Sequence, residues 1–392
     1  MRACSSTALL PVSGHPERAA RCVRRRAKRP ARAVVGGVVA VIATLCLPVS
    51  VLAGPTEPDH PAGTVLEPLD QPGTWTVRSD VHPWPQIRAE GIEVDDQGSV
   101  WLSSWAFCTD DAAVEPVSCV WRPGVAGYDH HPVREAQDNW GEPGLEDFAV
   151  TPEGEAWAAS YRGLEAFDGS SWVNHTTRGV AEVEVGPDGR LWAAGADAEL
   201  PPFLASILDD EPAAFHGGDP ARFIDTWNQS DVRFLPLDIE ATEDGAVWVS
   251  GVDTMAPDET WDGFLVRVDG TDWETVTPVA AEERFAVFSL AAGPDGSLWA
   301  LVAGNSNTYL ARHDGTAWSS LSKSDGLPSE AWGALEVGLD GAVWLAKDEG
   351  GVASFDGNTW THFLDGAPVH DIAIAPDGAV WAVGEGLFVI RS

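Results

Sequence analysis

After residue 53 the chain holds only 15 Lys and Arg against 59 Asp and Glu, a net charge of −44. A body so poor in cations repels phosphate backbones and anionic membrane surfaces, which excludes nucleic acid as a partner. Cysteine is nearly missing from the same stretch. Of five in all, Cys4, Cys22 and Cys46 come early, leaving Cys108 and Cys119. Two cysteines with no further ligands close in sequence do not make a zinc site. Tyrosine occurs three times against 19 tryptophans, and helical periodicity is almost absent.

The missing basic residues are gathered at the start. Residues 1–53 carry nine, six of them between Arg24 and Arg32, with Glu17 the one acid. An uncharged apolar run, Ala33 to Gly54, follows. This is the charged and hydrophobic part of an export signal. Val51-Leu52-Ala53 offers a cleavage point after Ala53. The run is also long enough to span a bilayer as an uncleaved anchor, the one membrane contact expected. Cys46 lacks the small residues before it that lipid attachment needs. Residues 54–72 are rich in proline and read as an extended, mobile linker. In an exported chain Cys108 and Cys119 are expected to pair, closing the loop CTDDAAVEPVSC at its base.

What the chain has in abundance is a repeat. IEVDDQGSVWLSS at Ile92 returns as FAVTPEGEAWAAS at Phe148, VEVGPDGRLWAAG at Val183 and IEATEDGAVWVSG at Ile239. It returns again as LAAGPDGSLWALV at Leu290, LEVGLDGAVWLAK at Leu335 and IAIAPDGAVWAVG at Ile372. In each, a Trp stands three residues after a Gly, at 101, 157, 192, 248, 299, 344 and 381. The alternation before the turn is that of a strand, and Pro-Asp-Gly suits a tight turn. The average spacing of about 47 residues is that of one four-stranded propeller blade.

A second phrase, FDGSSW at Phe167, VDGTDW at Val268, HDGTAW at His313 and FDGNTW at Phe355, marks a turn between third and fourth strands. The last unit stops at GLFVIRS, one strand short, while GTWTVRSD near Trp75 has no strands before it. Residues 73–392 are therefore expected to be an all-β, seven-bladed propeller of four-stranded blades, closed by an N-terminal strand that completes the last blade.

The stretch SDGLPSEAWGALEVGLDGAVWLAKDEGGVASFDGNTW, Ser324 to Trp360, resembles the two-component regulator propeller repeat. That resemblance implies an extracytoplasmic propeller of the kind used as a sensor input domain. The GPDG-x-LW phrases are similar, more weakly, to streptogramin B lyases. That activity uses paired His and Glu at a magnesium site, and the body has no His-x-His, so no catalytic residue is carried over.

Two candidate sites follow from blade geometry. One is the face bearing the irregular loops, where Trp84, Trp105, Trp140, Trp227, Trp261 and Trp332 offer an aromatic surface. The other is the first strand of each blade. Five and seven residues before the turn Gly stand Glu93, Asp147, Glu182, Glu184, Asp238, Glu240, Glu336 and Asp371, expected to ring the channel. Calcium suits such oxygens, but their spread argues against one compact metal site, and no cofactor is expected. The reading is a secreted or surface-held, monomeric, non-catalytic propeller binding a small molecule, glycan or protein. A propeller enzyme, lyase-like or glycoside-active, and a structural surface module are the alternatives.

Overall fold

The computed structural model describes residues 66–77, 89–104, 118–124, 127–133, 144–195, 203–208, 211–212, 234–253, 262–278 and 284–391. Within these spans 153, 168, 177–178, 271, 305–306, 329–332 and 348–349 are excepted. The chain is an all-β propeller. Six four-stranded sheets follow one another along the sequence, each led by an inner strand. The inner strands are Gly91–Val94, Asp147–Val150, Glu182–Val185, Phe234–Ala241, Phe285–Ala292 and Leu335–Val337. We call these the first to sixth sheets.

The remaining sheet is composite and has five strands. Val369–Ile374, Val380–Gly384 and Leu387–Ile390 come from the carboxyl end, Thr74–Val77 and Leu66–Pro68 from the amino end. Thr74 pairs with Ile390 and Trp75 with Val389, and the Arg391 amide donates to the Gly73 carbonyl at 2.9 Å. The expectation of seven equal four-stranded blades is thus corrected to six such blades beside a five-stranded sheet. The physical reason is that the Trp phrases report hairpins of inner strands, while an outermost strand carries no such mark. Leu66–Pro68 lies within the stretch expected to be linker. Leu66 is buried, and Pro68, which has no amide to donate, is tolerated at a sheet edge.

Each phrase-one Trp packs on the sheet that follows its own. Trp101 lies with Phe148 and Ala158 of the second sheet, and Trp157 with Val183 and Ala193 of the third. Trp192 meets Ile239 and Val249 of the fourth, Trp248 meets Leu290 and Ala300 of the fifth, and Trp344 meets Ile372 and Ala382 of the composite sheet. Trp381 of the composite sheet packs with Ile92 and Leu102 of the first. Burying a Trp face at each joint is the main apolar force between sheets.

The turn aspartates hold the turns. Asp95 Oδ1 accepts from the amides of Gln97 and Ser99, and Asp295 Oδ1 from Ser297 N and Oγ. The glycine after each has positive φ, for example +80° at Gly296. Arg312 ties Asp295 (2.6 Å) to the face of Trp299, its guanidinium 5.6 Å from the ring. The hydroxyl of Ser297 is the main cause, with Arg312 contributing, that holds Asp295 below the usual carboxylate range. The DGLPS entry of the sixth sheet is a 3-10 turn, Lys323–Asp325, capped by Ser322, that drives Leu327 into the core.

Candidate functional site

All eight acids singled out in the sequence are buried, yet they fall into two rows with different surroundings. The row seven residues before the turn Gly faces the next sheet. Asp147 of the second sheet accepts from the Val183 amide of the third at 2.9 Å. Asp238 of the fourth accepts from Leu290 of the fifth at 2.5 Å, and Asp371 of the composite sheet accepts from Ile92 of the first at 2.9 Å. In the fifth sheet Ser289 Oγ plays the same part toward Leu335 at 3.2 Å.

These bonds arise from the backbone. In three of the sheets a bulge precedes the row: the register shifts between Pro236 and Asp238, Val287 and Ser289, and Val369 and Asp371. It leaves the amide after each acid on the inner edge, away from its own sheet's second strand. An inner edge is an edge strand, and its donors need partners. A buried carboxylate from the preceding sheet supplies one and is itself compensated. Glu182 occupies the equivalent place in the third sheet and is fully buried.

The second row, five residues before the Gly, holds Glu93, Glu184, Glu240 and Glu336. Each stands directly across from its sheet's Trp, Glu93 from Trp101 and Glu184 from Trp192. Glu93 and Glu184 line a central cavity of about 580 Å³ that is bounded by all six four-stranded sheets. Its rim is made by the residues two before the turn Gly: Asp96, Pro152, Pro187, Glu243, Pro294 and Leu339. Asp95, Asp188 and Asp244 stand beside them, and Arg190 is the one cation among the described lining residues. Arg190 is engaged at home, 3.7 Å from Asp188 and 5.6 Å from the centre of the Trp192 ring. Leu339 is 59% exposed at this acidic rim. The arrangement offers negative potential inside an apolar-walled hollow. Among the described residues no three His, Cys, Asp or Glu side chains converge in a metal-binding arrangement.

The six tryptophans proposed for the loop-bearing face, Trp84, Trp105, Trp140, Trp227, Trp261 and Trp332, lie outside the described residues, as does Cys108. Cys119 is buried in the strand Ser118–Gly124. Attention to loop length missed the tight-turn face. A signal for it was present, because Asp96, Glu243 and Leu339 replace the usual Pro of the turn phrase, and all three stand at the cavity.

No family model matches the chain, and no curated protein matches it in sequence. Solved structures do. The chain is similar to streptogramin B lyase, at 14% identity and TM-score 0.56, over 78% of this chain and 94% of that one. It is similar to the extracellular domain of a hybrid two component system from B. thetaiotaomicron, at 13% identity and TM-score 0.52, over 78% of this chain and 40% of that one. It is also similar to PorZ, a bacterial surface component of the type-IX secretion system of Porphyromonas gingivalis, at 11% identity and TM-score 0.56, over 78% and 46%. The chain spans less than half the length of the last two. At such identities the likeness shows the propeller fold alone, shared by extracellular domains and by enzymes.

Proposed function

We propose that the chain is an extracytoplasmic, non-catalytic, sensor-like propeller that acts as a monomer and takes a small cationic ligand into its central cavity. The acidic hollow of about 580 Å³, whose described lining holds one already engaged cation, carries this reading. Its size is that of small-molecule sites in general. The basic leader followed by an apolar run supports export, as do neighbours that are extracellular domains and surface components. A buried Cys119 in an exported chain supports its pairing with Cys108.

Thermal-shift titration with spermidine, a short Lys-rich peptide, a neutral glycan and citrate tests the proposal. The two cationic probes are expected to raise Tm, less so at high salt, and the other two to leave it unchanged. Glu184→Gln with Asp96→Asn is expected to reduce the cationic shift. No shift with either cation, or an equal shift in the double variant, overturns the cavity as the site. A shift with the glycan that Trp140→Ala and Trp332→Ala remove would move the site to the loop-bearing face.

A further inference from the structure

The bonds between sheets are unequal, and the inequality is written in the residue seven before each turn Gly. Where that residue is Asp or Ser, its side chain reaches an inner-edge amide of the next sheet, as at Val183, Leu290, Leu335 and Ile92. In the first sheet it is Gly91, and in the sixth it is Ala334. Neither side chain can accept a hydrogen bond, so the residue at this place offers no acceptor to the equivalent amides of Phe148 and Ile372, whereas in the third sheet it is Glu182, a buried carboxylate.

The first and sixth sheets, which lack an acceptor at this place, differ from each other. At the joint of the sixth and composite sheets, Asp371 turns its second oxygen, Oδ1, to the Ile372 amide at 2.9 Å while Oδ2 serves Ile92. One carboxylate covers two donors. At the joint of the first and second sheets Phe148 fills the space: a Cβ on Gly91 would run into the Phe148 ring and Ser103 Oγ. Apolar contact has replaced the directional bond there. Non-directional packing tolerates small sliding that a charge-assisted hydrogen bond resists.

We infer that the joint between the first and second sheets is more compliant than the four joints held by these side-chain bonds, so that the channel wall opens there before it opens at any of those four. Glu93, Val94, Asp95 and Asp96 on one side of that joint and Val150 and Pro152 on the other all line the cavity. Opening there widens the cavity directly, whereas the four stapled joints hold the wall on either side of them. The inference rests on the side-chain and backbone geometry and stands whether or not the ligand is a cation.

Amide hydrogen exchange of the intact exported chain tests it, read residue by residue. The Phe148 amide is expected to exchange at least tenfold faster than those of Val183, Leu290 and Ile92. Asp147→Ala is expected to bring Val183 into the fast class, and Asp147→Asn, whose amide oxygen still accepts, to hold it between. Exchange at Phe148 as slow as at Val183 in the unaltered protein overturns the inference, and that comparison needs no variant to fold. Unchanged Val183 exchange in a folded Asp147→Ala protein also overturns it.

Discussion

The joints between sheets and the mouth of the channel are both lined with acid, yet the same residue type serves them differently. At the joints, Asp147, Asp238 and Asp371 are short carboxylates committed to a backbone amide of the neighbouring sheet. At the mouth, Asp96 and Glu243 border open volume. The difference shows that an acid's position along the chain decides whether its carboxylate reaches the next sheet or borders the cavity. Sign and spacing alone do not separate the two.

That comparison can be broken at its strongest point first. Removing residues 66–77 takes two strands from the composite sheet along with Trp75, Val77 and the two side-chain bonds by which Gln71 grips His362 O and Leu364 N. The expected outcome is loss of cooperative unfolding by circular dichroism. Trp381→Ala empties the joint between composite and first sheets and should cost about 3–5 kcal/mol in denaturant titration. Asp371→Ala, which strips two amides of their acceptor, should cost about 1–3 kcal/mol, with Asp371→Asn recovering part of it. By contrast Asp96→Asn at the mouth should leave stability within about 0.5 kcal/mol. If Asp371→Ala and Asp96→Asn prove equally mild, the two classes of acid collapse into one.

The smallest effect expected is in acid titration. Asp314, in the outer turn of the fifth sheet, is lowered to about 2, first by the Thr316 hydroxyl and then by the Ala317 and Thr316 amides. A carboxylate depressed in the folded state stabilises above its unfolded value near 4 and loses that contribution as pH falls toward 2. Carboxyl-carbon NMR should therefore show Asp314 among the last carboxylates to protonate, and Thr316→Ala should raise its midpoint. A midpoint near 4 in the unaltered protein would falsify the turn geometry described for it.

Much of the architecture could be read before any coordinates. Gly, Asp and Trp at fixed offsets identify a hairpin because each meets a local need. Gly296 takes positive φ, Asp295 ties the turn, and Trp299 packs. The pairing of Thr74–Val77 with Leu387–Ile390 was legible for the same reason, since one end had a strand too few and the other a strand too many. Leu66–Pro68 was not legible, because three residues containing a proline carry no period. Nor were the partners of Asp147 or Asp371, since the donor is a backbone amide and any residue supplies one. The cavity rim was overlooked because short uniform turns look inert until they converge around an axis.

The composite sheet also imposes an order of events. Trp75 and Val389 lie far apart along the chain with every other sheet between them, so Thr74–Val77 must wait until those sheets are made before it can pair with Leu387–Ile390. Contacts so distant in sequence are slow to form, and an unpaired edge is hazardous while it waits. A chain halted before residue 387 would keep the six four-stranded sheets and leave Thr74–Val77 without its partner strand.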